Sequence, residues 1–333
     1  MSVITEIFGF KKAIEKISPD YFKSHPSLLE LLATILLLFM FKGIFYAFLK
    51  DVKSSIYALV AWLLYLFWYV YSIKKSEVAV YLNGITQVVE DFPKYIFSRI
   101  RSLTIKSVIF GCDKSSTTEK LIEQLYLDYG TFNTLISNKK IEKLYVGGLC
   151  RIPFLCAYGA FFHNISAEIV MIEKFHDGKW TFLNDKTMRS QKIQIDTVNS
   201  KLNSDNEIAL LVSFSLPIDI SSIPSKLQNS YSHMYVKNCS RNLFMDTKSI
   251  NQAVNTIIQE IDRINSTIKP SIIHLFLSVQ TTVALKIGSR IQSGMHPIIQ
   301  IHNFDAQTKS YPWSLKIMPM ETDIKSKITL INN

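Results

Sequence analysis

The sequence predicts an α/β protein of two similar halves that follows a pair of transmembrane helices. Three observations support this fold class: two long apolar stretches near the N-terminus, short β-branched runs that alternate with helical stretches, and a strand–loop–helix–strand pattern that occurs twice. The predicted segments are a membrane segment at 1–75, a helical connector at 76–104, and an α/β domain at 105–333 with halves at about 105–205 and 206–333.

The composition fits one folded domain with a membrane segment. The protein has 333 residues, of which 48% are hydrophobic, and a formal net charge of +10. A basic balance of this size suits an anionic partner, such as phosphate groups or an acidic lipid surface. The four cysteines form no CxxC pair, so neither a zinc site nor a disulfide framework is indicated. We therefore expect a reducing compartment, no metal and no cofactor.

The first predicted element is a transmembrane hairpin. The run from Ile56 to Ile73 contains no charged residue, and at about 1.5 Å per residue it spans about 27 Å, close to the hydrocarbon thickness of a bilayer. Leu28–Leu49 is a second apolar stretch, whose Lys42 is able to reach toward the short connector between the helices. The lysines that flank the two helices favour a topology with both termini in the cytoplasm. The alternative is a pair of buried helices in a soluble domain.

The next elements are a connector and the α/β domain. Ser76–Ser102 predicts an amphipathic helix at the membrane surface, interrupted at Pro93. From Ile105 onward the pattern is typical of βαβ units around a largely parallel sheet. The predicted strands are Ile105–Phe110, Lys143–Gly147, Ile169–Glu173, Ile208–Phe214, Ile272–Leu277 and Ile298–His302. The predicted helices are Thr117–Asp128, Pro153–Phe162, Ser249–Ser266 and Thr282–Ile291.

An internal repeat relates the two halves. The segment from Lys143 to Phe175 can be laid over the segment that ends at Phe304. Gly159 then falls on Gly288 at the offset that also relates the two phenylalanines, without a gap. A second pairing joins VIFGCDKSS in the first half with LLVSFSLPI in the second. Two Rossmann-like units related in this way place their strand-end loops around one cleft, which is where open α/β sheets bind ligands.

The first-half candidates for ligand binding follow the predicted strands. Gly147, Gly148 and Arg151 lie between a strand and a helix, where backbone amides and a guanidinium meet a phosphate. A tight turn with a solvent-exposed Arg151 is the alternative. The other first-half candidates are Asp113, Lys114 and Ser115.

The second half offers equivalent positions. Its candidates for hydrogen bonds to a base edge or a ribose are Ser278, Gln280, Thr281 and Thr282, although an N-cap role explains either threonine equally well. The candidates after the preceding strand are Ser213, Phe214 and Ser215. Phe214 is suited to stacking on a base or, alternatively, to a place in the core.

An enzymatic function is the competing class. Cys150, His163 and Asp177 form a conceivable nucleophile, base and orienting group, with His274 or His302 as alternatives, but no local signature supports these sets. The sequence contains neither a GxGxxG pattern nor a P-loop, which argues against dinucleotide cofactors and NTP hydrolysis. We therefore expect a binding protein and not an enzyme.

The second copy of the repeat resembles a known family. The residues IHLFLSVQTTVALKIG, followed by PIIQIHNFD and YPWSLKI, resemble the C-terminal motif of SAVED domains, and EIALLVSFSLPI is similar to the strand that opens the second half of that family. SAVED domains are the cyclic-oligonucleotide sensors of bacterial CBASS anti-phage systems and are similar to two fused CARF domains.

The resemblance implies a function. It implies a sensor that binds a cyclic di- or trinucleotide, self-associates into oligomers and, as a multi-pass protein of the bacterial inner membrane, disrupts the lipid bilayer to abort infection. No stable DNA or RNA partner is expected. Two alternatives stay open: a CARF-type receptor for oligoadenylates in type III CRISPR signalling, and a membrane-tethered enzyme that degrades the cyclic nucleotide.

Overall fold

The computed structural model describes the chain from residue 77 onward, with short gaps. The described residues are 77–84, 105–111, 116–138, 141–163, 165–175, 180–183, 192–199, 201–292 and 294–332. The predicted transmembrane helices at 28–49 and 56–73 lie outside them. Within these residues, no helix combines the length and the apolar character that crossing a bilayer requires.

A five-stranded sheet with two helices forms the first half. Its elements are β1 (Glu77–Asn83), β2 (Lys106–Gly111), α1 (Thr118–Asn138), β3 (Lys143–Leu149), α2 (Ile152–Phe161), β4 (Glu168–Lys174) and β5 (Trp180–Phe182). The strand order is β2-β1-β3-β4-β5. The first four strands in this order are parallel, and β5 pairs antiparallel with β4.

A seven-stranded sheet forms the second half. Its elements are β6 (Ile193–Asn199), β7 (Glu207–Ser213), β8 (Tyr231–Val236), α3 (Thr247–Thr267), β9 (Ile272–Ser278), α4 (Thr281–Arg290), β10 (Ile298–Asp305), β11 (Ser310–Ile317), α5 (Ile324–Lys327) and β12 (Ile328–Asn332). The order is β12-β11-β10-β9-β7-β8-β6, with a parallel centre from β8 to β10 and antiparallel strands at both edges.

Every predicted strand and helix of the α/β domain is present, and the sheets are largely parallel as expected. The predicted connector helix is wrong at its start, because Glu77–Asn83 is the strand β1, paired with β2 on one side and β3 on the other. Its residues Val78–Leu82 are at most 1% exposed. A short apolar run buried on both faces is typical of a central parallel strand, and periodicity alone does not separate it from a buried helix segment.

The two halves share one order of elements. The order β2-β1-β3-β4-β5 in the first sheet corresponds to β8-β7-β9-β10-β11 in the second. The offset in residue number that relates Gly159 to Gly288 also relates three pairs of elements, at both their first and their last residues. These pairs are α1 and α3, β3 and β9, and α2 and α4. The counterpart of β7 is β1, so the predicted pairing of VIFGCDKSS with LLVSFSLPI is wrong by one strand.

Helices α2 and α4 pack against each other between the sheets, and each also contacts strands of the other half. The glycines on which the repeat was aligned lie at this contact. A Cβ on Gly159 would lie 2.1 Å from the backbone oxygen of Leu285, and a Cβ on Gly288 would lie 1.9 Å from that of Cys156. The contact is reciprocal, since Leu285 follows Cys156 at the offset that separates the two glycines. Both positions therefore require glycine, because only a residue without a side chain allows the helices to approach this closely.

Candidate functional site

A cavity of about 1140 Å³ lies where the strand ends of the two halves meet. The first half contributes the carboxyl ends of β3 and β4, and the second half contributes the loops after β7 and β8, the β9–α4 turn and the β10–β11 turn. Ligands of open α/β sheets bind outside the carboxyl ends of the strands. The cavity is therefore the candidate site.

The cavity combines basic, aromatic and hydroxyl groups. Its basic side chains are Lys174, Arg241 and Lys309, its carboxylates are Glu173 and Asp219, and its aromatic rings are Phe175, Phe304 and Tyr311. Guanidinium and ammonium groups bind phosphates through charge-assisted hydrogen bonds, and aromatic rings stack on unpaired bases. Burial raises the pKa of Tyr311 to about 12, so its hydroxyl stays protonated at neutral pH. The lining thus suits an anionic ligand with planar groups.

Four of the predicted ligand-binding residues line this cavity, namely Ser215, Ser278, Gln280 and Thr281. Ser278 also shapes the loop after β7, because its backbone oxygen accepts hydrogen bonds from Phe214 N and Ser215 N at 3.0 and 2.8 Å. Its hydroxyl accepts a further bond from Leu216 N at 2.9 Å. The backbone oxygen and the hydroxyl of Ser278 together therefore hold the loop after β7 in place at the cavity wall.

The side chain of Gln280 makes two hydrogen bonds to the loop after β8. Its side-chain oxygen accepts a hydrogen bond from Phe244 N at 2.8 Å, and its side-chain nitrogen donates to Phe244 O at 3.0 Å. Each end of the amide thus makes one hydrogen bond to the protein backbone and keeps one acceptor or donor position, and the predicted contact of Gln280 with a base edge stays a prediction. The bonds fix the loop that carries Arg241 and Asn242 to the cavity mouth.

The N-terminus of α4 is capped from the other half of the protein. The carboxylate of Glu173 in β4 accepts hydrogen bonds from Thr282 N at 2.9 Å and from the Thr282 hydroxyl, and Thr281 bonds to it as well. Neither threonine is the N-cap residue, since that position is Gln280. Burial raises the pKa of Glu173, and these hydrogen bonds oppose the shift. A carboxylate therefore occupies the helix terminus where we predicted ligand contacts.

The predicted glycines of the first half lie in a strand, and one of them serves backbone packing. Gly147 and Gly148 lie inside β3, and a Cβ on Gly148 would lie 2.2 Å from Leu82 O in the neighbouring strand β1. Arg151 precedes α2, and its guanidinium lies 5.7 Å from the centre of the Trp313 ring. None of the three lines the cavity.

The remaining predicted residues lie elsewhere. Phe214 is 1% exposed and packs edge-on against Phe244 at 5.5 Å, so its ring belongs to the core. The hydroxyl of Ser213 accepts a hydrogen bond from Ile218 N at 3.1 Å and lies 2.8 Å from His233 Nε2, which makes it part of the loop structure. Residues 113–115 lie outside the described part of the chain.

The structure describes most of the conceivable catalytic residues. Cys150 is buried, and His163 Nδ1 lies 3.1 Å from the backbone oxygen of Ser289. His274 and His302 form a buried pair, with 2.9 Å between Nδ1 and Nε2, and burial lowers the pKa of His274 to about 4. Asp177 lies outside the described residues, within which no group of three or more His, Cys, Asp or Glu side chains is arranged to hold a metal ion.

Sequence reasoning missed much of the lining. The missed residues include Glu173, Lys174, Phe175, Arg241, Phe304, Lys309 and Tyr311. A signal for two of them was present, because the repeat aligned Phe175 with Phe304, and both rings line the cavity from opposite halves. Arg241 and Lys309 lie in a loop and a turn, and Glu173, Lys174 and Tyr311 lie at the ends of strands, where no local pattern marks them as cavity residues.

The sequence profile of a family described as "SMODS-associated and fused to various effectors sensor domain", or SAVED, matches residues 129–317. The chain belongs to the SAVED family. Every residue that lines the cavity falls inside the matched range of this SAVED domain.

Solved SAVED structures have a similar fold. The Acinetobacter baumannii Cap4 SAVED/CARF-domain containing receptor with the cyclic trinucleotide 2'3'3'-cAAA matches with a TM-score of 0.50 and 14% identity, and the same receptor with 3'3'3'-cAAA matches with 0.50 and 16%. Each match covers 72% of this chain, which spans about half the length of those receptors, 50% and 51%. No curated protein sequence matches the chain.

Proposed function

We propose that this SAVED protein is a receptor for a cyclic oligonucleotide second messenger in bacterial anti-phage defence, and that the cavity is its binding site. The observation that carries the proposal is the cavity lining, in which basic, aromatic and hydroxyl groups from both halves converge at the strand ends. The ligand class is supported by membership of a sensor family and by a fold like that of a Cap4 receptor solved with cyclic trinucleotides. In this proposal the chain binds its ligand and does not cleave it.

The two halves are, in this proposal, copies of one ancestral CARF-like unit. The shared strand order, the constant offset between corresponding elements and the reciprocal contact between Gly159 and Gly288 support a duplication. Duplication explains why one cavity has two walls of similar backbone and different side chains. A ligand that touches both walls bridges the halves.

The proposed effector function lies at the membrane. The apolar runs at 28–49 and 56–73 support a hairpin in the bacterial inner membrane with both termini in the cytoplasm. Two helices per chain are too few to enclose a sizeable pore, so damage to the bilayer requires several chains side by side. Ligand drives this assembly only to the extent that it prefers the assembled state.

Equilibrium binding tests the proposed site. The full-length protein is titrated with a panel of cyclic di- and trinucleotides that includes 3'3'3'-cAAA, and we expect at least one to bind. Arg241→Ala should weaken that binding by about 1.5 to 3 kcal/mol, because a guanidinium donates charge-assisted hydrogen bonds to phosphate. The same titrations followed by sedimentation should show a rise in mass.

A matched variant controls for the loss of positive charge. Arg290 is exposed in the last turn of α4, at the opposite end of the helix from the cavity. Arg290→Ala should therefore bind as the wild type does. Failure of every nucleotide in the panel to bind would refute the receptor function, and equal effects of the two substitutions would remove Arg241 from the site. Binding without a change in mass would refute the assembly step alone.

A further inference from the structure

Phe304 is a large apolar side chain left half open at the mouth of the cavity. It is 50% exposed, whereas the other two rings of the lining, Phe175 and Tyr311, are 9% and 7% exposed. A single exposed apolar side chain is ordinary on a protein surface. The residues around Phe304, however, indicate a role in ligand binding.

An irregularity in the sheet directs Phe304. The register of β10 against β11 shifts between Asn303 and Asp305, so the single residue Phe304 lies opposite two residues of β11, Tyr311 and Pro312. A bulge of this kind re-aims a side chain, and bulges are common beside binding sites. The shift places the ring in the cavity wall next to the β10–β11 turn, which carries Lys309.

A column of rings supports Phe304 from behind. Its ring centre lies 5.3 Å from that of Tyr311, which packs edge-on against Phe276 at 4.7 Å. Phe276 in turn stacks on His302 at 4.2 Å, and all three supporting rings are buried. One side of Phe304 thus packs against the buried ring of Tyr311, which Phe276 supports, while half of its side chain stays open. A preoriented ring loses little conformational entropy when a flat ligand group stacks on it.

We propose that Phe304 is a stacking platform for one base of the bound nucleotide. The inference rests on the proposed receptor function and assigns the ring a part in ligand affinity. Stacking accepts any base, because every base has a π-face, and it reads no hydrogen-bonding edge. Phe304 therefore contributes affinity for a base of any identity, and the basic side chains of the same cavity, Arg241 and Lys309, contribute affinity for the phosphates.

Substitutions at Phe304 separate stacking from simple apolar contact. The full-length protein is titrated with 3'3'3'-cAAA and with its all-uridine analogue. Phe304→Ala should weaken the binding of each by roughly 5- to 150-fold. Phe304→Tyr and Phe304→Trp retain a π-face and should bind within about 3-fold of the wild type, whereas Phe304→Leu keeps the apolar bulk alone and should resemble Phe304→Ala.

The salt dependence gives an independent readout. Removing Phe304 leaves the charges of the site unchanged, so the slope of log Kd against log salt should be unaltered in Phe304→Ala and reduced in Arg241→Ala. Met295→Ala is the matched control, since Met295 is 58% exposed and does not line the cavity. It should bind as the wild type does.

The outcomes are distinguishable. If the wild type binds and Phe304→Leu or Phe304→Ala binds equally well, the stacking role is wrong and the receptor function stands. A shallower salt slope in Phe304→Ala would also overturn it, since the substitution would then act by disturbing the phosphate contacts. A wild-type protein that binds no cyclic nucleotide of the panel refutes the receptor function, and the stacking role with it.

Discussion

The side chain of Glu173 connects the two halves of the domain at the cavity. Glu173 belongs to β4, yet its side chain accepts hydrogen bonds from Thr281 and Thr282 at the start of α4. Thr282 lies 109 residues further along the chain. A carboxylate at a helix N-terminus satisfies free amides and interacts favourably with the helix dipole. Glu173 thereby joins the two halves beside the ligand cavity.

The first prediction concerns the pH dependence of stability at this carboxyl. Burial raises the pKa of Glu173 above its ordinary value of 4.5, so folding favours the protonated form. The stability that this preference contributes is fully present below 4.5 and is lost as the pH rises through the raised pKa. Gln has no proton to lose, and its amide oxygen still accepts from Thr282. The Tm of Glu173→Gln relative to wild type should therefore increase with pH.

Thermal unfolding from pH about 4 to about 8 provides the measurement. The control is Glu168→Gln, which removes a carboxylate from the exposed first residue of the same strand. A Tm difference between Glu173→Gln and wild type that stays constant over the range, or that matches the control, would contradict the prediction.

At the scale of elements, the contact between α2 and α4 determines how the halves pack. Small residues allow two helix backbones to approach closely, and here each helix offers one glycine to the other's backbone oxygen. A backbone oxygen is not able to rotate away as a side chain does. The helix pair also lies between the two sheets, so any displacement reaches the cavity through β4 and the β9–α4 turn.

The second prediction tests this contact with Gly288→Ala. The new Cβ would lie 1.9 Å from Cys156 O, so the helices must separate, and we expect a loss of about 1 to 3 kcal/mol in the free energy of unfolding. Gly130→Ala is the matched control, because Gly130 lies in α1 and a Cβ added to it would have no neighbouring atom within 4 Å. It should instead gain about 0.5 to 1 kcal/mol from helix propensity.

Urea denaturation of both variants gives the comparison. The prediction requires that Gly288→Ala lowers the free energy of unfolding and that Gly130→Ala raises it. If Gly288→Ala is as stable as Gly130→Ala, then the close approach of α2 and α4 does not hold the halves together.

At the scale of the whole molecule, the folded unit begins well before the predicted start of the α/β domain. Residues 72–333 form one compact unit. Strand β1 is an interior strand of the first sheet, between β2 and β3, although its residues precede Ile105. A chain that begins at Ile105 lacks the strand to which both neighbours pair.

The third prediction compares two truncated chains. A fragment of residues 72–333 should unfold cooperatively, bind the ligand of the full-length protein and, lacking both apolar runs, no longer harm cells. A fragment of residues 105–333 should unfold without cooperativity and bind nothing, because β2 and β3 lose their hydrogen-bonded neighbour. Circular dichroism during urea titration and equilibrium binding provide the measurements.

Either of two results would contradict the prediction for the truncated chains. Cooperative unfolding of fragment 105–333 would show that β1 is dispensable for the first sheet. Continued toxicity of fragment 72–333 would place the harmful activity outside the predicted hairpin.

The sequence alone determined the α/β class, the constant offset between the halves and ten of the elements after Ile105, because alternation and periodicity are local properties of the chain. It did not predict β5, β6, β8, β11, α5 or β12. The tertiary structure alone decided what the side chains at the cavity do. Gln280 binds a backbone 36 residues away, and Glu173 binds a helix 109 residues away. No local pattern encodes such partners, since they are chosen by how the sheets and helices pack. The sequence therefore predicts which strand ends surround the cleft, whereas the packing of the sheets and helices determines which residues line it.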